Sequence, residues 1–278
     1  MTVRYRSVET KLKGASVRVG LLEAGAEGQD AVVFLHGLGA DSSSFEAQLE
    51  GLQDRFHVIA WDAPGFGESD ALPDKASIDD LSEVLASALE KCGLKHVHVV
   101  SSSFGTLVAL ALAKNHPKLV RTLVLSSPTV GFGARALEER EHIFNERKKD
   151  IGIGAKALAE KMAPLLVAEG TPESVIRSVQ RHGEGLRLEG FMTALGALVH
   201  TNGFELAKAV TQPTLVLVGS SDRLVKASPA KDLSAAIARS KLVTWDHVGH
   251  SMHVEDAPAF NDTVAEFAAS SRASDEGR

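Results

Sequence analysis

The sequence predicts an α/β fold, with a mostly parallel eight-stranded sheet, helices on both faces and one helical insertion. Three observations predict it. Short, mainly apolar runs recur at 31–35, 57–61, 97–100, 123–125, 214–218 and 241–245. Runs of that length without polar alternation read as parallel strands buried on both faces. Segments of helical period lie between several of them, the alternation of a doubly wound sheet. The rhythm breaks once, over 131–209, where helical segments follow one another with no strand signal.

Residues 2–9 and 16–22 alternate apolar and polar and read as an antiparallel pair. The run 31–35 leads into His36-Gly37-Leu38-Gly39, a glycine-flanked turn. The run 57–61 leads into Asp62-Ala63-Pro64-Gly65-Phe66-Gly67-Glu68-Ser69, whose proline and glycines mark a structural loop. Residues 78–92 carry Leu81, Val84, Leu85, Ala88 and Leu89 at helical spacing and stop before Gly93. The run 97–100 leads into Ser101-Ser102-Ser103-Phe104-Gly105, followed by a nearly all-apolar helix over 104–114. Within the insertion, 134–149 is a charged helix and 155–168 an amphipathic one. Thr171-Pro172-Glu173 opens a third, with Thr171 at the N-cap and Pro172 in the first turn. Residues 186–200 form a fourth.

The chain therefore divides into a core over 1–130, a helical cap over 131–209, a second core part over 210–270 and a disordered polar tail over 271–278. A cap in that position lies over the carboxyl ends of the strands, where open sheets bind ligands. A net charge of −6 argues against nucleic acid or an anionic membrane as partner. The single cysteine, Cys92, cannot form an internal disulfide and fits a reducing cytoplasm. No apolar run reaches membrane-spanning length, and residues 1–6 lack the apolar core of a signal peptide. A cytoplasmic protein acting on a small molecule is the expectation; oligomeric state is not readable.

The chemistry starts at the serines. A serine between small residues at a strand-to-helix turn is the setting of a nucleophile elbow. Only Ser103 has small residues on both sides at the required spacing, Ser101 and Gly105. A hydroxyl needs a base, and the base needs an acid to fix its tautomer. Asp222 follows the strand run 214–218, and His250 follows Gly249 after the last strand, so the order is Ser103, Asp222, His250. His247 and His253 compete for the base. Three histidines at intervals of three in an irregular loop do not converge on a metal, and neither metal nor cofactor is expected. Gly37-Leu38-Gly39 lacks the third glycine of a dinucleotide site. Backbone N–H groups of Leu38 and Phe104 are the expected oxyanion donors.

With these motifs in order the chain resembles the α/β-hydrolase family over nearly its whole length. It is most similar to capped esterases and lactonases such as the 3-oxoadipate enol-lactonases. The resemblance implies a serine hydrolase that cleaves a carboxylic ester or lactone through an acyl-enzyme on Ser103. Two alternatives stay open. One is carbon–carbon bond hydrolysis of a diketone or meta-cleavage type product, with Arg177, Arg187 or His200 binding a substrate carboxylate. The other is a ligand-sensing receptor on the same fold. Phe132, Phe144, Met162, Phe191, Met192 and Leu195 are the candidate pocket lining. Ser101, where the family usually has glycine, is expected to bond backbone at the elbow.

Overall fold

The computed structural model describes residues 3–73 and 75–275. Eight strands form one sheet: β1 (Arg4–Leu12), β2 (Ala15–Ala24), β3 (Ala31–Leu35), β4 (His57–Trp61), β5 (Val97–Ser102), β6 (Val120–Ser126), β7 (Thr214–Gly219) and β8 (Ser240–Trp245). Their order is β1-β2-β4-β3-β5-β6-β7-β8. The pairs β1–β2 and β2–β4 are antiparallel, and every other neighbouring pair is parallel. This is the α/β-hydrolase fold.

The runs that form β3 to β7 become strands because both of their faces are covered, whereas the run 241–245 forms the edge strand β8 and is only partly buried. In β3, Val32 and Phe34 pack into one apolar cluster and Val33 and Leu35 into the other, as the two-residue period of a strand requires. Helices α2 (Ile78–Lys91) and α3 (Gly105–Asn115) cover one face through residues such as Leu81, Val84 and Leu110. Helices α1 (Glu46–Leu52) and α11 (Ala257–Asp275) cover the other through Leu49, Leu52, Phe260 and Val264. Each such fully buried side chain contributes roughly 1.5–3 kcal/mol. Helix α2 begins where expected because Ser77 and Asp80 close a capping box.

Among the described residues no strand interrupts the stretch between β6 and β7. It carries α4 (Leu137–Ile151), α5 (Ala155–Met162), α6 (Glu173–Glu184), α7 (Leu188–His200) and α8 (Gly203–Ala207). Two expectations are corrected. The third helix of this stretch starts at Glu173 with Pro172 at the cap position, because the Thr171 hydroxyl turns to the Glu255 carboxylate instead of capping. The last helix runs to Asp275, so 271–275 is helical and not a disordered tail; residues 276–278 lie outside the described residues. The remaining helices are α9 (Ala227–Ala236) and α10 (Met252–Glu255).

The 62–69 loop holds the start of α7 against the sheet. A Cβ on Gly65 would lie 2.4 Å from the Gly190 Cα, so the two backbones touch. Arg187 donates to the Gly65, Gly67 and Ser69 carbonyls at 3.1, 3.4 and 2.5 Å. Asp62 accepts from the Ser42 and Glu68 amides. Asp62 and Ser69 thus build a structural loop, as their sequence context predicts.

Candidate active site

Strand β5 ends at Ser102 and α3 begins at Gly105, so the chain reverses within two residues. Ser103 occupies that turn at φ +50°, a left-handed conformation that costs a non-glycine residue about 1–3 kcal/mol. The turn is held by Ser103 N–H to the Ser126 carbonyl and Thr106 N–H to the Ser103 carbonyl, both 3.0 Å. Gly105 is required by packing: a Cβ there would lie 2.5 Å from the Leu35 carbonyl oxygen. Ser101 is fully buried, and its hydroxyl donates to the Val124 carbonyl at 3.4 Å. That acceptor stands on the neighbouring strand β6 and not within the elbow itself.

Asp222 follows β7 and His250 follows β8, parallel neighbours whose ends bring the two loops together. His250 Nδ1 lies 2.8 Å from Asp222 Oδ2, and both side chains are almost wholly buried. The other Asp222 oxygen accepts from the Leu224 and Val225 amides at 2.8 and 2.9 Å. Burial alone would raise the pKa of Asp222. The His250 hydrogen bond and charge, with the two amides, outweigh it and hold the carboxyl below the ordinary aspartate value. Asp222 therefore stays ionised, a hydrogen-bond acceptor facing His250 Nδ1.

Ser103, Phe104, Leu38 and His250 line one cavity of about 250 Å³. Its far wall comes from α5, α6 and α7 and the turns between them, including Leu158, Met162, Val179, His182, Leu186 and Phe191. Of the apolar residues picked from the sequence, Phe132, Met162 and Phe191 line this cavity. Phe144 and Met192 line a separate surface groove, and Leu195 is buried in the core. His182 carried no signal in the sequence; it stands in the cavity only because α6 packs over it.

The competing histidines have other positions. His36 is buried, with Nδ1 toward the Gly37 carbonyl at 2.9 Å and Nε2 accepting from the Ala63 amide at 3.0 Å. Burial lowers its pKa, against the opposing pull of that carbonyl, and both ring nitrogens are occupied. His247 is exposed at φ +62°. His253 is buried between the rings of Phe45 and Phe260 and lines the cavity floor. Burial, then the neighbouring His182 and His250, push its pKa down to about 3. Among the described residues no group of three or more His, Cys, Asp or Glu side chains is arranged to hold a metal ion, and no helix is long and apolar enough to cross a membrane.

None of the three candidate carboxylate binders lines the cavity. Arg187 is bonded to the 62–69 loop, Arg177 pairs with Glu173 along α6, and His200 lies in the separate groove beside Arg140.

A family model described as alpha/beta hydrolase fold matches residues 30–151, and one described as TAP-like protein matches 200–278. The chain is 29% identical to a protein of Klebsiella pneumoniae named carbamate hydrolase RutD, over 88% of this chain and 93% of that one. It is also 29% identical to a 2-hydroxy-6-oxononadienedioate/2-hydroxy-6-oxononatrienedioate hydrolase of Pseudomonas putida, over 87% and 88%. Among solved structures, a thermophilic esterase from Thermogutta terrifontis superposes with a TM-score of 0.86 at 25% identity, covering 96% of this chain and 99% of the esterase. The enol-lactonase from Burkholderia xenovorans LB400 shares the fold, with a TM-score of 0.83 at 22% identity over 94% and 100%.

Proposed function

Because the chain belongs to the α/β-hydrolase family, we propose that it is a serine hydrolase that cleaves a carboxylic ester or lactone. One observation carries the reading. Ser103 sits on a strained turn in the same cavity as His250, whose Nδ1 is bonded to the buried carboxylate of Asp222. In this reading His250 Nε2 takes the Ser103 proton as Oγ attacks the carbonyl carbon. Asp222 stabilises the resulting imidazolium. The N–H groups of Leu38 and Phe104 receive the developing oxyanion, each such donor contributing about 100- to 1000-fold in rate. His250 then protonates the leaving alcohol. Water, activated by the same ring, releases the acyl group from Ser103.

The residues of 131–209 act as a cap in this reading and shape the substrate. The cavity wall is largely apolar, and its volume of about 250 Å³ lies just below the roughly 300 Å³ at which ligand pockets begin. That favours a compact, uncharged ester or lactone. Arg147 is the one lysine or arginine among the described cavity residues, and it lies 3.8 Å from the Asp150 carboxylate. A dicarboxylate of the kind named for the Pseudomonas putida relative has no unshared cationic partner there. A carbamate presents the same kind of acyl carbon and belongs in the test.

The test is a panel of p-nitrophenyl acetate and butyrate, a small lactone, a carbamate ester and a vinylogous diketone, assayed with the wild type and Ser103→Ala. Ester or lactone turnover that Ser103→Ala abolishes is expected. Full esterase activity in Ser103→Ala sinks the proposal, and turnover of the diketone alone would favour carbon–carbon cleavage.

A further inference from the structure

Residues 164–168, just past α5, are gripped by both loops that carry the acid and the base. From the Asp222 side, Arg223 donates to the Val167 carbonyl at 3.1 Å and to the Pro164 carbonyl. From the His250 side, the Ser251 amide donates to the Leu166 carbonyl at 2.7 Å. Gly249 presses on the same stretch, since a Cβ there would lie 2.5 Å from the Ala168 nitrogen and the Val167 carbonyl carbon. The two residues flanking His250 are therefore both seated on this one stretch.

Glu255 on α10 closes the junction. Its carboxylate accepts the Gly249 amide with both oxygens, at 3.0 and 3.1 Å. It also accepts the Ala168 amide at 2.8 Å and the Thr171 hydroxyl at 3.4 Å. One carboxylate thus ties the residue before His250 to the turn that joins α5 to α6. Charge-assisted bonds of this kind are stronger than neutral ones. The acid and base loops also touch each other: the Ser221 amide donates to the Val248 carbonyl at 3.0 Å.

We propose that Glu255 is a positioning residue, locking residues 164–171 onto the backbone that carries His250, so that the seating of the cap sets the His250–Asp222 geometry. The proposal rests on the serine-hydrolase reading. Its physical basis is tolerance: reacting groups need placement within about 0.5 Å, and a misplacement of about 1 Å costs on the order of 100-fold. Cap displacement then releases the catalytic pair, and a seated cap restores it.

The experiment compares wild type, Glu255→Gln and Arg223→Gln with p-nitrophenyl acetate, together with fluorophosphonate labelling and thermal melts. Glutamine keeps the size of Glu255 but offers one acceptor oxygen to three donors and turns an NH2 group toward them. Glu255→Gln is expected to lose roughly 10- to 100-fold in kcat, with KM changed by less than about threefold. The acid limb of its kcat/KM profile moves to lower pH, because a loosened His250–Asp222 pair stabilises the imidazolium less. Arg223→Gln pulls on the same stretch from the other side and is expected to give the same signature, which decides the matter should Glu255→Gln fail to fold. A lowered melting temperature with wild-type kcat and an unmoved acid limb in the folded variants overturns the positioning role alone. A wild type that is not labelled at Ser103 overturns the serine-hydrolase reading and this proposal with it.

Discussion

Replacing His253 by glutamine should make the protein less sensitive to mild acid, although it removes a well-packed ring. His253 lies buried between Phe45 and Phe260, and among the described residues its Nδ1 has no hydrogen-bond partner. Its pKa falls from the ordinary 6.5 to about 3 in the folded protein. The unfolded chain binds a proton at this site below pH 6.5, and the folded chain does not until about pH 3. The stability tied to His253 is therefore fully present above pH 6.5 and is lost as pH falls toward 3. Each pH unit inside that window is worth about 1.4 kcal/mol. Between about pH 7.5 and about pH 5 the wild type should lose roughly 2 kcal/mol through this one group. His253→Gln cannot titrate and should lose about 2 kcal/mol less than the wild type over the same interval. Equilibrium urea denaturation of both proteins at the two pH values measures the difference. Parallel losses in wild type and variant would refute the reasoning, because they would mean that folded His253 takes up its proton near the ordinary pH.

Three further outcomes are expected. Gly105→Ala drives a Cβ to 2.5 Å from the Leu35 carbonyl oxygen, and backbone cannot yield as a side chain does, so a loss of about 1–3 kcal/mol should appear in urea denaturation. Ser101→Gly removes a long hydrogen bond to the Val124 carbonyl and should leave kcat/KM on p-nitrophenyl acetate within about tenfold, or about 1.4 kcal/mol. Arg187→Ala strips three carbonyls of the 62–69 loop of their donor; the melting temperature should fall, while KM for a neutral ester and for one bearing a carboxylate should keep the same ratio as in the wild type.

The central strands were legible because burial on both faces leaves a mainly apolar run. The runs 31–35 and 57–61 coincide with β3 and β4. The positions of Ser103, Asp222 and His250 were legible because each lies in the loop that follows a strand's carboxyl end, Ser103 immediately after β5 and the other two a few residues past β7 and β8. Helix α10 and the first turns of α11 were not, since Met252, His253 and Phe260 are set by the apolar cluster beneath them. Thr171 reads as a helix cap, yet its hydroxyl bonds a carboxylate 84 residues away, a contact local sequence cannot carry. The cavity wall was half legible for the same reason. Phe191 and Met192 are adjacent in sequence, and helical rotation sends one into the cavity and the other into a separate groove.

Strands β6 and β7 are hydrogen-bonded neighbours, with Ser126 opposite Leu217. Residues 127–213 therefore leave the sheet and re-enter it through adjacent doors. With the two ends fixed side by side, doubling the length of an excursion costs only about 0.6 kcal/mol in closure entropy. This stretch can be lengthened, shortened or exchanged over evolutionary time without altering the register of a single strand. The sheet is thus a frame that stays fixed while this stretch varies. The grips of Arg223, Ser251 and Glu255 on 164–171 mark the part of any exchanged segment that has to arrive with its backbone carbonyls and amides already in place.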